Sequence, residues 1–388
     1  MMWLKRFIRG ICSGEIEDKG EAQMDNKKKI LILGNSHLVV FGFRGELIER
    51  LVNEGYDVAV SFPNGPFGEG EEISRQYGVR FIEIYIERRK TNPVQELSLI
   101  NRYIRMIKEE KPDYVFAYTV KCDTYGGIAC RLTHTPFIPN ITGIGKGLAE
   151  GGIVEKILTW LYRIAIKDAK IVFFQNEYDK LFFIENRIQF KKCKILPGSG
   201  VNLQKFRPLD YPKSNPVIFT YVARVMKAKG IEQFLDAARA LKGHAEFHIC
   251  GYCEEDYKCL IEKEQMAGTV VYHGLVSNII DYERLSHCIV LPTFHPEGVS
   301  NVLLEAAACA RPIITTDRPG CREAVSDGVT GFLVKQRDSD DLIKKMKRFL
   351  LMSYEDRMHM GLLGRKKIEK EFDRQIVVDA YLKEIQKG

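Results

Sequence analysis

The stretch Ile30-Leu31-Ile32-Leu33-Gly34 is a short apolar run ending in glycine, and helical periodicity follows it through Leu47, Ile48, Leu51 and Val52. Gly55-Tyr56 then leads into Val58-Ala59-Val60. Buried strand, loop, amphipathic helix, turn and buried strand make a βαβ unit, which places its strands in a parallel sheet covered by helices. Strand-like runs recur at Phe81–Tyr85, Tyr114–Tyr118, Phe137–Ile138 and Ile171–Phe174. Near residue 200 the pattern stops. LPGSGVNLQKFRPLDYPKSNPVIF is rich in Pro, Gly, Ser and Asn and has no periodicity, so it reads as an interdomain linker. A second alternation starts with Val217–Val222 and continues through Glu246–Cys250, Val270–Tyr272, Cys288–Leu291, Pro312–Thr315 and Gly331–Val334. Polar amphipathic helices close the chain from about Leu342 to Ile385. The expected fold class is α/β, with two Rossmann-like, doubly wound domains facing a cleft. Ligands of such sheets bind beyond the carboxyl ends of the strands, so the loops after the strands are the places to search.

The chain has 388 residues and a formal net charge of +7, which suits an anionic ligand such as a nucleotide, a diphosphate or an acidic lipid surface. A solvated surface slightly rich in lysine explains the charge equally well. No basic run or motif points to nucleic acid. The 10 cysteines form no framework, which fits a reduced, cytoplasmic protein. Cys250, Cys253 and Cys259 cluster without a fourth ligand, so no metal site is expected. No apolar run is long enough to span a membrane. MMWLKRFIRGIC has its apolar residues at helical spacing with Lys5, Arg6 and Arg9 between them, as in a short interfacial helix. The preferred reading of residues 1–23 is simpler: translation starts at Met24, just before the first strand.

Two stretches of the second half carry chemistry. After Tyr221-Val222-Ala223 comes RVMKAKGIEQFLDAA, in which Arg224 and Lys229 flank a short loop and Gly230 allows close backbone approach before a helix. Two cations beside a helix start make a natural diphosphate site. The direction of Lys227 stays open. The other stretch is FHPEGVSNVLLEA, Phe294 to Ala306. Ser300 is a plausible N-cap, and the amides of Gly298, Val299 and Ser300 are expected as oxygen-binding donors toward the cleft. Glu297 stands at that mouth. Glu305 lies roughly 7–8 Å further along the helix at its usual rise per residue, too far for an acid–base pair but suited to a second polyol on one extended ligand. A third stretch, TTDRPGCREAV, reads as another cleft-facing loop, with Arg322-Glu323 opening a helix.

Together these pieces resemble the retaining family 4 glycosyltransferases of the GT-B fold. The resemblance covers the chain from about Lys28 and is strongest from Arg224 to Val334. Its Glu-x7-Glu motif matches Glu297 and Glu305, its Arg-x4-Lys-Gly motif Arg224, Lys229 and Gly230, and its HGLV loop His273 to Val276. The resemblance implies that Arg224 and Lys229 hold the donor diphosphate and stabilise the leaving group. It also implies that Glu305 binds the donor ribose, and that Glu297 meets the sugar with help from Gly298, Val299 and Ser300. Gly274 joins the donor site. No cofactor or metal is implied. In the first domain, Tyr118–Arg131 and Asn140–Gly145 resemble a subgroup that builds surface polysaccharides, where such loops face a saccharide acceptor, often one on a polyprenyl diphosphate. Asn35, His37, Lys121 and Thr142 are the acceptor-side candidates. The implied donor is a nucleotide sugar, UDP-linked by family habit, carrying a hexose or N-acetylhexosamine. The implied divisions are an acceptor domain over 24–205, a donor domain over 206–371, and a last helix, 372–388, crossing back to the first domain. Two departures stand out: His295-Pro296 precedes the first glutamate, and Cys309 stands where a glycine is common.

Three rival readings are weaker. A dinucleotide-dependent oxidoreductase would need G-x-G-x-x-G in LGNSHLVVFGFRG and an acid at Ser61-Phe62. A nucleotide-sugar epimerase of the same fold would want acid and base groups around the sugar ring. A non-catalytic nucleotide-sugar binder does not need the full Arg224, Lys229 and Glu305 set. VEKILTWLYRIAIKDAKI places Ile157, Leu158, Leu161, Ile164 and Ala165 on one helical face. That face either packs on its own sheet or makes a peripheral contact with the anionic inner face of the cell membrane.

Overall fold

A computed structural model of the chain describes residues 27–65, 68–87, 93–149 and 151–387. The expectations for residues 1–23 and for a start at Met24 lie outside the described residues.

The first alternation gives seven strands: β1 (Lys29–Leu33), β2 (Asp57–Phe62), β3 (Arg80–Glu83), β4 (Tyr114–Tyr118), β5 (Phe137–Ile141), β6 (Val172–Phe174) and β7 (Cys193–Ile195). All pair in parallel, in the order β3-β2-β1-β4-β5-β6-β7. Because neighbouring side chains in a strand point to opposite faces, Leu31 and Leu33 enter one core and Ile30 and Ile32 the other. The second alternation gives β8 (Val217–Val222), β9 (Ala245–Cys250), β10 (Val271–Gly274), β11 (Cys288–Leu291), β12 (Ile313–Thr316) and β13 (Gly331–Val334). Its order, β10-β9-β8-β11-β12-β13, repeats that of the first sheet without the last strand. Both sheets therefore reverse direction beside their first strand, between β1 and β4 and between β8 and β11. These switch points are where a doubly wound sheet leaves a crevice.

Residues 196–216 between the sheets contain no helix or regular strand. The last helix, Arg374–Gln386, packs on the first sheet. Its Tyr381 ring lies 4.9 Å from Phe116 and 4.7 Å from Phe173, and the hydroxyl accepts a hydrogen bond from Asn140 Nδ2 at 3.1 Å. At its start Arg374 is paired with Glu46 at 2.7 Å and donates to the Gly200 carbonyl at 3.2 Å.

The helix Gly152–Ala165 buries Thr159, Leu161, Tyr162 and Ala165 against its own domain. Its outward residues are Ile153, Val154, Ile157 and Trp160, so the apolar face read from the sequence is divided, with Leu161 and Ala165 buried and Ile157 exposed. The loop after β12 makes a single 3₁₀ turn at Arg322–Ala324 rather than the expected helix, held by Glu323 Oε2 accepting from the Gly320 amide at 2.8 Å. The helix Asn301–Ala308 is followed by Cys309 at φ −78° and Ala310 at φ 57°. The left-handed position that favours glycine is thus Ala310, one residue beyond the departure expected at Cys309.

Candidate active site

The loops after β1, β4, β5 and β6 of the first sheet converge with those after β8 and β11 of the second. After β8, Arg224 opens a loop that closes with a 3₁₀ turn, Lys227–Lys229, and with Gly230 at φ 78° before the helix Ile231–Ala240. A Cβ at Gly230 would lie 2.1 Å from the Pro292 carbonyl oxygen, so only glycine lets this loop press against the end of β11. The Phe294 amide and the Thr293 hydroxyl fix that contact, donating to the Ala228 carbonyl at 2.9 and 3.1 Å. The result buries Lys229 Nζ against the Glu297 carboxylate. Burial, and next the nearby Arg224 charge, pull the Lys229 ammonium down to about 8. Arg224 is paired with Glu254. Lys227 turns outward, its ammonium 3.4 Å from Glu232.

Glu297 sits in the turn before the helix Asn301–Ala308. Ser300 occupies the N-cap position, but its side chain makes no capping hydrogen bond. The three amides expected to be free are all bonded. Gly298 N donates to Thr142 O at 3.1 Å, Val299 N to Gln175 Oε1 at 3.2 Å and Ser300 N to Gly320 O at 2.8 Å. The first two bonds cross the cleft, and Asn176 Nδ2 adds a third by donating to Gly298 O at 2.8 Å. The amino end of a helix has spare donors, and here the opposite loop and the Gly320 turn supply the acceptors. The approach is close enough to need glycine on both sides. A Cβ at Gly143 would meet Gly298 N at 2.8 Å, and one at Gly298 would meet Gln175 Oε1 at 2.1 Å.

Two cavities open beside this contact. One is lined by Arg44, Thr119, Thr142, Gln175, Arg224 and Glu297, together with Gly298, Val299 and His295. The other is lined by His37, Glu46, Lys205, Glu305 and Arg374. Glu305 and Glu297 therefore face neighbouring spaces, divided by the chain that leads into the helix Phe43–Asn53. Burial raises the Glu305 carboxyl to about 7 against the opposing pull of Lys205 and Arg374. Asn35 and Lys121 line neither cavity. Lys121, after β4, is ion-paired with Glu96 at 2.6 Å. Gly274 ends β10 at φ 66° and accepts from the Gly251 amide at 2.7 Å. Among the described residues no group of three or more His, Cys, Asp or Glu is arranged to hold a metal ion.

Sequence reading missed Arg44, Gln175 and Asn176. Arg44 lies inside an amphipathic helix, and the two amides follow an apolar strand, so pattern alone singles out none of them.

The glycosyl transferases group 1 family matches residues 205–367, and the glycosyl transferase 4-like family matches residues 29–176. A Campylobacter jejuni N,N'-diacetylbacillosaminyl-diphospho-undecaprenol alpha-1,3-N-acetylgalactosaminyltransferase is 24% identical, over 92% of this chain and 97% of its own. An Escherichia coli UDP-Gal:alpha-D-GlcNAc-diphosphoundecaprenol alpha-1,3-galactosyltransferase is 26% identical, over 77% and 81%. Among solved structures, Anabaena HepE in complex with UDP and glucose superposes with a TM-score of 0.77 at 18% identity, over 93% of this chain and 100% of its own. That likeness establishes the fold. With both halves matched in order, the chain is a glycosyltransferase of the GT-B fold, built from a glycosyl transferase 4-like half and a group 1 half.

Proposed function

We propose that this enzyme transfers a hexose or N-acetylhexosamine, with retention, from a UDP-sugar to a saccharide carried on a polyprenyl diphosphate, during surface polysaccharide synthesis. The observation that carries this reading is the meeting of Arg224, Lys229 and Glu297 at the switch point of the second sheet, against the Thr142–Gln175 side of the first. The relatives named above act on diphospho-undecaprenol-linked sugars.

Arg224 and Lys229 take the diphosphate. Each now neutralises a carboxylate, and a bound diphosphate offers a richer set of oxygens to the same cations. Glu297, released from Lys229, meets hydroxyls of the donor sugar. Glu305 accepts from the ribose hydroxyls, and Gly274 borders the base side. The glycosidic C–O bond breaks toward the phosphate while the acceptor oxygen bonds to the same carbon on the same face. The departing phosphate oxygen takes the acceptor's proton. Charge stabilisation at that phosphate is the main demand on the protein. Asn35, Lys121 and Thr142 are assigned to the acceptor side, whereas His37, expected there too, shares the cavity of Glu305. Lys121 reaches an acceptor phosphate only by exchanging its bond to Glu96.

The acceptor's lipid calls for a surface. No described helix is long and apolar enough to cross a membrane. The helices Pro93–Glu110 and Gly152–Ala165 flank an apolar groove lined by Ile100, Tyr125, Ile128, Ile157 and Trp160. Ile153 is 78% exposed and Trp160 58%. An apolar patch of this kind, with Trp at its rim, suits the headgroup–acyl boundary of an anionic bilayer. The enzyme then works at the cytoplasmic face as a peripheral protein.

A screen of UDP-sugars for UDP release tests the chemistry, and release from none would refute it. Flotation with anionic vesicles at low salt tests the surface. Wild type should float and Trp160→Glu should not, and a wild type that stays at the bottom removes the membrane contact.

A further inference from the structure

Two arginines line the cavity beside Glu297, and only one has an anionic partner. Arg224 is paired with Glu254. Arg44 is 2% exposed, and no described carboxylate lies within ion-pair distance of it. Its Nη1 donates to Ser199 Oγ at 2.8 Å, and its Cζ lies 4.3 Å from the Tyr118 ring centroid. The phenol lies against the guanidinium, yet neither Nε nor Nη2 finds an oxygen in hydrogen-bonding geometry. Burial pushes the nearby Asp123 carboxyl well above the usual range, against the pull of Arg44, and Asp123 makes no ion pair with it. A buried guanidinium without an anion is unfavourable, and the Ser199 hydrogen bond and the Tyr118 ring offset that cost only in part.

The geometry of the free edge specifies what relieves it. Nε and Nη2 present two parallel N–H bonds, the fork that grips two oxygens of one phosphate or carboxylate. Ser199 and Tyr118 fix the guanidinium plane, so the fork is held in one orientation. We propose that Arg44 is a phosphate-binding residue supplied by the first domain, closing on a phosphate group from the side opposite Arg224 and Lys229. This rests on the transferase reading above, which brings two diphosphates into the cleft, one on the donor and one on the acceptor. Arg44 gives each domain a cation on a bound phosphate, so ligand binding and cleft closure become one event.

The test is calorimetric binding to the full chain and to its Arg44→Gln and Arg44→Lys variants, with UDP, uridine and inorganic pyrophosphate as probes. If the phosphate is the donor's, both variants weaken UDP by about ten-fold or more and leave uridine unchanged. If it is the acceptor's, UDP is unchanged, and pyrophosphate binding to the UDP-saturated enzyme weakens by about as much. Either result supports the assignment. Arg44→Lys keeps the charge but loses the fork, and it serves alone if Arg44→Gln does not fold. UDP and pyrophosphate affinities within two-fold of wild type would overturn the proposal, leaving Arg44 a structural group whose loss lowers only the unfolding temperature. The transferase reading is scored separately, by UDP release from UDP-sugars by the wild type.

Discussion

Glu305 shows how a binding residue loads the fold that carries it. Its carboxyl is raised from an ordinary 4.5 to about 7 by burial. Between those values the folded chain holds a proton that the unfolded chain has released, so its contribution makes stability fall as pH rises through that window. Glu305→Gln removes the effect. Denaturant titrations at pH 8 should find the variant more stable by about 1–2 kcal/mol, short of the full equivalent of the shift because the carboxylate faces a cavity. At pH 4 the two should coincide. Nucleotide affinity should nevertheless fall, because a neutral amide is a weaker partner for ribose hydroxyls. A pH profile identical to wild type would remove the buried carboxylate from the account. Much at this scale was readable beforehand: charged residues beside glycine in loops after strands are conspicuous, which is how Arg224, Lys229 and Glu297 were found. Arg44 was not readable, since its burial and its unpaired edge arise from Ser199 and Tyr118, far away in the chain.

At the scale of elements, the helix Asn301–Ala308 and the turn before it join the two halves. Gly298 could accept alanine as far as its own backbone is concerned, since its φ is not positive. Its cost is across the cleft, where a Cβ would press on Gln175 Oε1 at 2.1 Å and on the Thr142 carbonyl carbon at 2.9 Å. Gly298→Ala should therefore hold the domains apart. Steady-state kinetics should show kcat down by about ten-fold or more, the size expected for misplacing groups that must meet in the transition state, with the thermal midpoint nearly unchanged. A normal kcat would mean that this closed contact plays no part in turnover. The sequence reading placed β4, β8, β11 and β13 closely, because long apolar runs between turn residues leave little choice. It missed β7, whose three residues are partly exposed at the sheet edge and carry no alternation. It also took the amides of Gly298, Val299 and Ser300 as free. Thr142 and Gln175 become neighbours of Gly298 and Val299 only when the two halves close, and Gly320 reaches Ser300 through a turn within the second half.

Across the whole molecule, the chain's last helix returns to pack on the first domain. Tyr381 is fully buried among Phe116, Tyr118 and Phe173 and bonded to Asn140. Tyr381→Ala should cost about 3–5 kcal/mol, as other buried aromatic truncations do, and should lower the unfolding midpoint of the first domain. A loss below about 1 kcal/mol would show that the helix is only loosely docked. The central claim is that Arg224, Lys229 and Glu297 form the donor end of a transferase site. Arg224→Ala should weaken donor use by the roughly 1.5–3 kcal/mol of a charge-assisted hydrogen bond. The most direct test pairs UDP binding with UDP release from the preferred UDP-sugar in Glu297→Ala. The account predicts near wild-type UDP affinity and lost turnover. Turnover close to wild type, or collapse of UDP binding, would contradict the placement of Glu297 at the sugar.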